Sequence, residues 1–328
     1  MAVLITGGAG FIGSHLVELL LAKTSHRLVV VDNFDPYYSP IVKRNIAAHL
    51  AALSPRITIA NADCLDAVAL KKLLEEHAVR SIVHLAASPG VPASLRDPRQ
   101  CLRNNIEATL VLLELARQHR VEQFLFASSS TVYGSGAAAP FAEDAPMGNP
   151  VSPYGVSKRA AEQLGFNYHH LYQIPFVSLR FFNAYGIRIR PELALAAFTR
   201  AILRGEPLKL FGDGSALRDF THVTDIAQGL LQTLEHPHFA TAVAGEAFNL
   251  GSCAPITVRQ LIDMIEAAAG RRALIEQLPS RTEDMLRTHA SLEKSARVLG
   301  YQPTRQIEIE VPRYVAWALQ EESTGRPW

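Results

Sequence analysis

Tyr154 and Lys158 stand four positions apart and could act together in acid–base chemistry. They follow Pro153, a residue that suits the first turn of a helix. On a helix such a pair shares one face, with about 5–6 Å between the Cβ atoms. A free phenol has a pKa of about 10, and a neighbouring ammonium favours the phenolate. The pair therefore predicts proton transfer to or from a hydroxyl group.

A Tyr-x-x-x-Lys pattern also occurs by chance, on an amphipathic helix with a buried tyrosine and an exposed lysine. The catalytic interpretation is favoured here by hydroxyl residues that end the apolar run FLFASSSTVYG. One interpretation of Ser129, Ser130 and Thr131 is a turn in which the side chains bond their own backbone. The other is that these hydroxyls face a substrate oxygen.

A glycine-rich turn, TGGAGFIGSH, directly follows the first apolar run. Gly7, Gly10 and Gly13 are three residues apart, and helical character begins at about Phe11. Glycine lets the backbone approach a pyrophosphate, whose charge then lies at the positive end of the helix. The spacing alone is weak evidence, but its place in the first strand–helix unit predicts a dinucleotide site.

Asp32 ends the second predicted strand, about 20 residues after the glycines. A carboxylate there binds both hydroxyls of the adenosine ribose and repels a 2′-phosphate, so NAD is favoured over NADP. Asp63 is expected either to face the adenine amine or to cap the next helix. Lys43 could reach the adenosine end or lie in solvent. The expected NAD-binding residues are Gly7, Gly10, Phe11, Ile12, Gly13, Asp32, Asn33, Lys43, Asp63, Cys64, Leu85, Ala86, Ala87, Tyr154 and Lys158.

The first half of the chain predicts a frame for these residues, because short apolar runs alternate with amphipathic segments. This alternation is typical of βαβ units in a parallel sheet that is covered on both faces. The expected fold class is α/β, a Rossmann-type doubly wound parallel sheet with a smaller mixed α/β C-terminal substrate lobe. The predicted strands are Ala2–Thr6, Arg27–Asp32, Arg56–Ala60, Ser81–Ala87, Gln123–Ser129, Ile174–Phe181 and Glu246–Ser252. The predicted helices are Ile12–Ala22, Ala67–His77, Gln100–His119, Leu193–Arg204, Val223–Glu235 and Thr257–Ala269.

Composition excludes several classes of function. The 328 residues are 48% hydrophobic and 19% charged with a formal net charge of +1, which gives no support for nucleic acid or an anionic membrane as partner. Cys64, Cys101 and Cys253 form no CxxC pair and are expected to be buried thiols in a reducing cytoplasm. We expect a cytoplasmic protein, since no signal peptide and no apolar run of about 18 residues is present. The adjacent His169 and His170 point to different helix faces, so no metal site is expected.

Taken together, the motifs resemble the extended short-chain dehydrogenases/reductases, the NAD-dependent epimerase/dehydratase family that acts on nucleotide sugars. The resemblance covers nearly the whole chain. The stretches DNFDPYYSPIVKR and RPELALAAFTRAILRGEPLKLFGDG are most similar to UDP-glucuronate 4-epimerases. The broader resemblance rests on TGGAGFIGSH, VDNF, HLAA, SSSTVYG, YGVSKRAAE, RFFNAYG, GDGSALRDFTHVTDI, NLGS and ARVLGYQP.

The resemblance implies roles for the hydroxyls. Ser129 would bond the 4-oxygen of the sugar and share its proton with Tyr154, which Lys158 tunes. Sugar 4,6-dehydratases carry Asp-Glu at the next two positions, and UDP-glucuronate decarboxylases carry Glu at the second. This chain has Ser130 and Thr131, which are not general acids near neutral pH, so a dehydratase is not expected. We expect these two hydroxyls to hold a substrate carboxylate; the alternative is a turn in which only Ser129 is functional.

The resemblance also implies contacts at the UDP end, where arginine matches diphosphate oxygens. Phe211 could lie against uracil, Arg190 could close the pocket, and Arg188 with Arg190 could supply a second carboxylate contact. An ordinary surface ion pair remains the alternative for each arginine. The chain departs from the family at Pro92, Asn183 and Glu283, where Arg, Thr and Gly are frequent. The expected substrate-binding residues are Pro89, Gly90, Ser129, Ser130, Thr131, Asn183, Arg190, Phe211, Arg218 and Arg281.

The function expected from the resemblance is NAD-dependent 4-epimerisation of a UDP-sugar, with UDP-glucuronate to UDP-galacturonate preferred. The alternatives are a UDP-glucose or UDP-N-acetylhexosamine 4-epimerase, the decarboxylase, a net-oxidising sugar dehydrogenase, and a non-catalytic NAD-sensing regulator. Residues 1–181 with about 223–252 are expected to form the NAD-binding domain, and 182–222 with 253–328 the UDP-sugar lobe. A homodimer through Gln100–His119 and Tyr154–Tyr172 is expected.

Overall fold

A parallel sheet lies at the centre of the computed structural model, which describes residues 1–281 and 285–324. Glu283 lies outside the described residues. The strands, numbered in chain order, are β1 Ala2–Thr6, β2 Arg27–Asp32, β3 Ile57–Asn61, β4 Ser81–His84, β5 Gln123–Ser129, β6 Phe176–Phe181, β7 Asn183–Tyr185, β8 Pro207–Phe211, β9 Leu217–Arg218, β10 Phe220–His222, β11 Ala247–Leu250, β12 Ile256–Thr257 and β13 Leu274–Leu278.

Within these residues, the central sheet has seven strands in the order β11-β6-β5-β4-β1-β2-β3, and every neighbouring pair is parallel. The order reverses between β1 and β4, which opens a crevice at the carboxyl ends of the strands. The doubly wound parallel sheet predicted from sequence is confirmed. The expected return of the chain to this sheet is also confirmed, because β11 pairs with β6.

Helices cover both faces of the sheet, because successive apolar side chains of β1 point to opposite faces. Val3 and Ile5 pack into one apolar cluster with Leu16, while Leu4 packs into the other with Leu70. Both clusters are therefore built from one continuous apolar strand, as expected for a strand covered on both sides. The helices are α1 Phe11–Lys23, α2 Pro40–Leu53, α3 Ala67–His77, α4 Val91–Arg96, α5 Pro98–Leu102, α6 Ala108–Gln118, α7 Pro153–Tyr172, α8 Ala194–Arg204, α9 Val223–Leu234, α10 Val258–Ala269, α11 Glu293–Leu299 and α12 Ile307–Thr324.

A third apolar cluster lies under α8, α10 and α12, where Leu195, Leu261 and Val311 are buried together. Three small strand pairs complete this region: β7 with β10, β9 with β12, and β8 with β13. The sequence bounds given for the two lobes stay a prediction. Among the described residues, no helix is long and apolar enough to cross a membrane.

Some elements differ from the sequence prediction. Helix α2 was not predicted, although Ile46 and Leu50 lie on one buried face of it. The helix predicted at Gln100–His119 begins at Pro98 and contains a π-helical turn at Arg103–Glu107. The strand predicted to reach Ala87 ends at His84, because the next residues leave the sheet to line a cavity.

The prediction of three buried cysteines is wrong for one of them. Cys64 and Cys101 are buried, whereas Cys253 is exposed. Cys253 lies in a turn after β11 with a left-handed φ of 59°. Its backbone N–H donates to the Asp219 carboxylate at 3.1 Å, which holds the turn in place and leaves the thiol outside.

Candidate active site

A cavity of about 1560 Å³ follows the carboxyl ends of the central strands and continues beneath β8 and β13. Gly7 and Asp32 line one end, Ser129 and Tyr154 the middle, and Arg281 the other end. Every residue expected to bind NAD or substrate or to act in catalysis lines this cavity, except Arg188. The structure therefore brings the rest of the predicted set together, whereas the role of each residue stays a prediction.

Glycine is required in the turn after β1, because neighbouring backbone atoms leave no space for side chains there. Gly7 has a left-handed φ of 66°, and a Cβ there would lie 2.8 Å from the Ala86 nitrogen. A Cβ on Gly13 would lie 2.3 Å from the Gly7 carbonyl oxygen. Gly10 precedes α1 without a side-chain cap, and the first turn of α1 holds no acidic residue. The amide groups at this helix start thus suit the pyrophosphate of a dinucleotide.

Asp32 lies buried at the end of β2, where its carboxylate accepts a hydrogen bond from Phe34 N at 2.9 Å. Burial raises the pKa of Asp32, while the bond from Phe34 and the charge of Lys43 act in the opposite direction. The interpretation of Lys43 as a solvent-exposed lysine is wrong. Its side chain is buried, its Nζ donates to Asp35 O at 3.0 Å, and it lies 4.7 Å from the centre of the Tyr38 ring. Lys43 therefore holds the loop that follows β2.

Asp63 does not cap α3, so that alternative is wrong. The cap is Asp66, whose carboxylate accepts hydrogen bonds from two backbone amides of the first turn. Asp63 instead accepts from Asn33 Nδ2 at 2.9 Å and from Leu65 N at 2.8 Å. The Asn33–Asp63 bond connects the ends of β2 and β3 at the wall of the cavity, where the adenine of NAD would lie.

Helix α7 places Tyr154 in its first turn. Ser152 caps the helix by accepting from Gly155 N at 3.2 Å, and Pro153 is the first helical residue. Burial raises the pKa of Tyr154, while the charge of Arg190 and a hydrogen bond with Ser129 lower it. The tyrosine and the strand-end serine thus lie close to each other on the wall of the cavity, as the sequence analysis expects.

The hydroxyl cluster fits both of its interpretations. Ser129 Oγ caps the short 3₁₀ turn Ser130–Tyr133, and accepts from Thr131 Oγ1 at 3.0 Å and Thr131 N at 3.3 Å. Because Ser129 accepts both of these bonds, its own hydroxyl hydrogen remains available to Tyr154 or a bound oxygen. Ser130 is buried and Thr131 is half-buried beside it.

Lys158 lies one turn after Tyr154, yet its ammonium is directed to the sheet. Its Nζ donates to Ala127 O at 2.8 Å and lies 4.8 Å from the centre of the Phe126 ring. Burial lowers the pKa of Lys158 to about 8. The charge of Arg190 lowers the pKa of Tyr154 in this structure, and the expected effect of Lys158 on Tyr154 stays a prediction.

Arg190 closes over the cavity from the loop before α8. Its Nη1 lies 2.9 Å from Glu192 Oε1, and its guanidinium lies 5.8 Å from the centre of the Tyr37 ring. Because Arg190 lies over Tyr37, the loop after β2 meets the loop before α8 at the cavity. Arg188 does not join this group, because its Nη2 donates to Glu18 on α1 at 2.6 Å. The predicted carboxylate contact from Arg188 is therefore wrong.

The sequence analysis missed the buried Asn105, which connects the loop after β4 to α7. Its Oδ1 accepts from Ser88 N at 2.7 Å, and its Nδ2 donates to Ser88 O at 3.1 Å and to Ser157 Oγ at 2.9 Å. Ser157 donates in turn to Tyr154 O. The neighbouring Pro89 and Gly90 thereby keep a fixed position relative to the tyrosine. Asn105 lies on the π-helical turn, which no sequence spacing indicated.

At the far end of the cavity, Arg281 lies over one face of Phe211, 3.3 Å from the ring centre. Strands β8 and β13 are parallel, so these two residues reach the same edge despite their separation in sequence. Arg218 and Asn183 line the same cavity, and the Arg218 Nη1 donates to Leu217 O at 2.9 Å. An aromatic ring and two arginines suit a nucleotide base and a diphosphate.

The sequence of residues 3–251 matches the profile of the NAD dependent epimerase/dehydratase family. The chain belongs to this family. A UDP-glucuronate 4-epimerase from Thermodesulfobacterium geofontis strain OPF15 is 35% identical over 318 residues, which cover 97% of this chain and 96% of that protein.

Solved structures of family members superpose on the chain over almost its full length. The UDP-glucuronic acid 4-epimerase from Bacillus cereus, in complex with UDP-glucuronic acid and NAD, gives a TM-score of 0.90 at 34% identity, covering 98% of this chain and 99% of that one. The UDP-glucose 4-epimerase from Thermotoga maritima with UDP-glucose gives 0.87 at 29% identity, covering 98% and 100%. The chain thus shares the fold of family members that act on different sugars.

The buried charge of Lys158 predicts a pH-dependent stability in the nucleotide-free protein. Because its pKa falls from 10.5 to about 8 on folding, the unfolded chain binds more protons between these values, and stability rises with pH there. Lys158→Met removes the buried charge, so the variant is expected to melt higher than wild type at pH 7. This advantage should shrink as pH rises from about 8 towards 10.5.

Thermal unfolding at pH 7 and at high pH measures this difference. Lys71→Met, at a half-exposed lysine paired with Glu75 on α3, is the control and should show no comparable dependence on pH. A Lys158→Met protein that melts below wild type at pH 7 would show that the bond to Ala127 outweighs the burial of the charge.

Proposed function

We propose that this member of the epimerase/dehydratase family is an NAD-dependent 4-epimerase that interconverts UDP-glucuronate and UDP-galacturonate. The observation that supports it best is that Ser129 and Tyr154 line one cavity with the glycine turn, with the neutral Ser130 and Thr131 next along the chain. The relatives from Thermodesulfobacterium geofontis and Bacillus cereus bear the name of this activity.

Different residues of the cavity would bind different parts of NAD. The glycine turn would bind the pyrophosphate, Asp32 the adenosine ribose, and Lys158 the nicotinamide end. When bound, NAD supplies a nicotinamide that takes hydride from C4 of the sugar and gives it back on the opposite face.

Tyr154 would remove the proton from the 4-hydroxyl and later return it, with Ser129 donating to or accepting from the same oxygen. Arg190 favours the phenolate by its charge. The 4-keto sugar must rotate between the two hydride transfers. During this time the cavity has to stay closed to water. The contact of Tyr37 with Arg190 would help to keep it closed.

A 4-keto glucuronate is a β-keto acid, which loses carbon dioxide when its carboxylate bond aligns with the carbonyl π system. Ser130 and Thr131 would hold the carboxylate in a different rotamer, using neutral hydroxyls that do not repel it. A glutamate at either position would repel the anion and favour its loss. The pair therefore separates epimerisation from decarboxylation in this proposal.

Tyr154→Phe should lower turnover of UDP-glucuronate by at least about 100-fold, because the phenol oxygen that moves the proton is removed. The measurement follows UDP-galacturonate by chromatography, together with absorbance of NADH, which a net-oxidising dehydrogenase would accumulate. Tyr172→Phe, at the exposed end of the same helix, is the control and should retain activity. Wild-type turnover after complete removal of NAD would contradict the proposal.

Thr131→Ala should release UDP-pentose alongside UDP-galacturonate, because one hydroxyl that restrains the carboxylate is lost. Thr131→Ser keeps the hydroxyl and should give UDP-galacturonate alone. Chromatographic resolution of the two products measures the ratio. If Thr131→Ala epimerises normally and forms no pentose, the carboxylate-holding role is wrong and the hydroxyl serves the turn alone.

We further propose that the protein acts as a cytoplasmic homodimer joined through α5, α6 and α7. Exposed apolar side chains on these helices support the proposal: Leu102, Leu110, Val156 and Leu171. Leu110→Glu should shift the molar mass measured by light scattering from two chains to one. Leu274→Glu, on the exposed side of β13, is the control and should remain dimeric. A monomeric wild-type protein would contradict the proposal.

A further inference from the structure

Thr288 is a buried hydroxyl residue behind the wall of the cavity, and the mechanism above does not use it. Only 5% of its surface is exposed, and its backbone N–H donates to Leu217 O at 3.0 Å. This bond places Thr288 beside Arg218 and Asp219, the residues that follow Leu217. Asn183, which lines the cavity, lies on the other side of its hydroxyl.

The hydrogen bonds of Thr288 fix the orientation of the Asn183 amide. Asp219 N donates to Thr288 Oγ1 at 3.0 Å, and Thr288 Oγ1 donates to Asn183 Oδ1 at 3.1 Å. If the amide were reversed, the hydroxyl hydrogen of Thr288 would lose its acceptor. The bond therefore holds the carbonyl of Asn183 against the wall, and turns the two N–H groups of Nδ2 away from it.

Asp219 makes this arrangement rigid, because its fully buried carboxylate connects several segments. It accepts from Ser252 N at 2.7 Å, from Ala290 N at 3.0 Å and from Thr221 Oγ1 at 3.2 Å. Its carbonyl oxygen also accepts from Asn183 N at 3.0 Å. The backbone of Asn183 and the hydroxyl that orients its side chain are thus both attached to the same residue.

The charge of Arg218 at this wall of the cavity indicates which kind of ligand atom the Asn183 amide would bind. Arg218 precedes Asp219, to which the Asn183 backbone is bonded, and both Arg218 and Asn183 line the cavity, so a cation and an amide donor face the same space. Such a pair favours an oxygen that carries negative charge. A reversed amide would present its carbonyl oxygen there and repel the same group.

We infer that Thr288 is a positioning residue for nucleotide-sugar binding: its hydroxyl orients the Asn183 amide so that Nδ2 donates to a diphosphate oxygen beside Arg218. The inference rests on the proposed UDP-sugar function and deepens it. Thr288 acts on affinity for the diphosphate and not on proton or hydride transfer at C4, which takes place at Tyr154. It therefore predicts a change in KM with little change in kcat.

Thr288→Val keeps the shape of the side chain and removes the hydroxyl. It should weaken binding of UDP by about 10-fold, as expected for one hydrogen bond to a charged group, and raise KM for UDP-glucuronate similarly, with kcat within about 2-fold. Thr288→Ser should restore both values. Calorimetric titration of the NAD-loaded protein with UDP measures the affinity. If the valine variant is unstable, Thr288→Ala removes the same hydroxyl without adding bulk.

Thr221→Val is the matched control, since that hydroxyl also bonds Asp219 but does not contact Asn183. It should leave UDP affinity unchanged. A second measurement places Thr288→Val in an Asn183→Ala background, where it should weaken UDP binding no further. Equal loss of affinity in the Thr288 and Thr221 variants, or an added loss in the Asn183→Ala background, would overturn the positioning role.

The use of UDP separates failure of this inference from failure of the proposed function. A wild-type protein that binds UDP but does not epimerise UDP-glucuronate would refute the preferred substrate, while the affinities would still decide the role of Thr288. A wild-type protein that does not bind UDP would overturn both.

Discussion

The close approach of α7 to the central sheet determines where Tyr154 and Lys158 lie relative to the strand ends. A Cβ on Gly165 would lie 2.0 Å from the Phe176 ring, and a Cβ on Gly155 would lie 3.1 Å from Thr131 O. Glycine at these two points lets the helix lie directly against β5 and β6, so that the Lys158 ammonium reaches the carbonyl of Ala127 on β5. Without this approach, the first turn of α7 would stand away from the strand ends, and the tyrosine would not meet the serine.

Helix α7 carries two buried charged side chains, Glu162 and Lys158, and they differ in their partners. Glu162 forms a buried ion pair with Arg180 on β6, with the Arg180 Nε 3.0 Å from Glu162 Oε1 and a further bond from Ser178 at 2.7 Å. The pair is fully hydrogen-bonded and fixes helix to strand, as a buried ion pair must to be tolerated. Lys158, one turn earlier, donates to a backbone carbonyl and lies near an aromatic ring, and no salt bridge to it is found among the described residues. Burial of its charge lowers the pKa of Lys158 and costs stability at neutral pH.

The cofactor end was predictable from sequence because its signals are local. The spacing of Gly7, Gly10 and Gly13 and the position of Asp32 at a strand end each lie within one βαβ unit, and the structure places them on one wall. Two of the missed or wrong assignments depend on distant contacts. Arg188 pairs with a glutamate 170 residues away, and the hydroxyl that orients Asn183 is 105 residues away. Neither separation leaves a periodic pattern, so only the folded chain brings these partners together. Asn105 was missed for a different reason, since its orientation depends on a π-helical turn that spacing alone does not indicate.

The position of β11 in the central sheet has a consequence for biosynthesis. A chain leaving the ribosome has already produced β1 to β6 and the catalytic helix when residue 181 emerges, but the strand that pairs with Phe176–Phe181 is Ala247–Leu250. Until that segment has been translated, β6 presents an unpaired edge, with which another nascent chain could pair. The intervening residues therefore have to be synthesised while the central sheet is still open on one side.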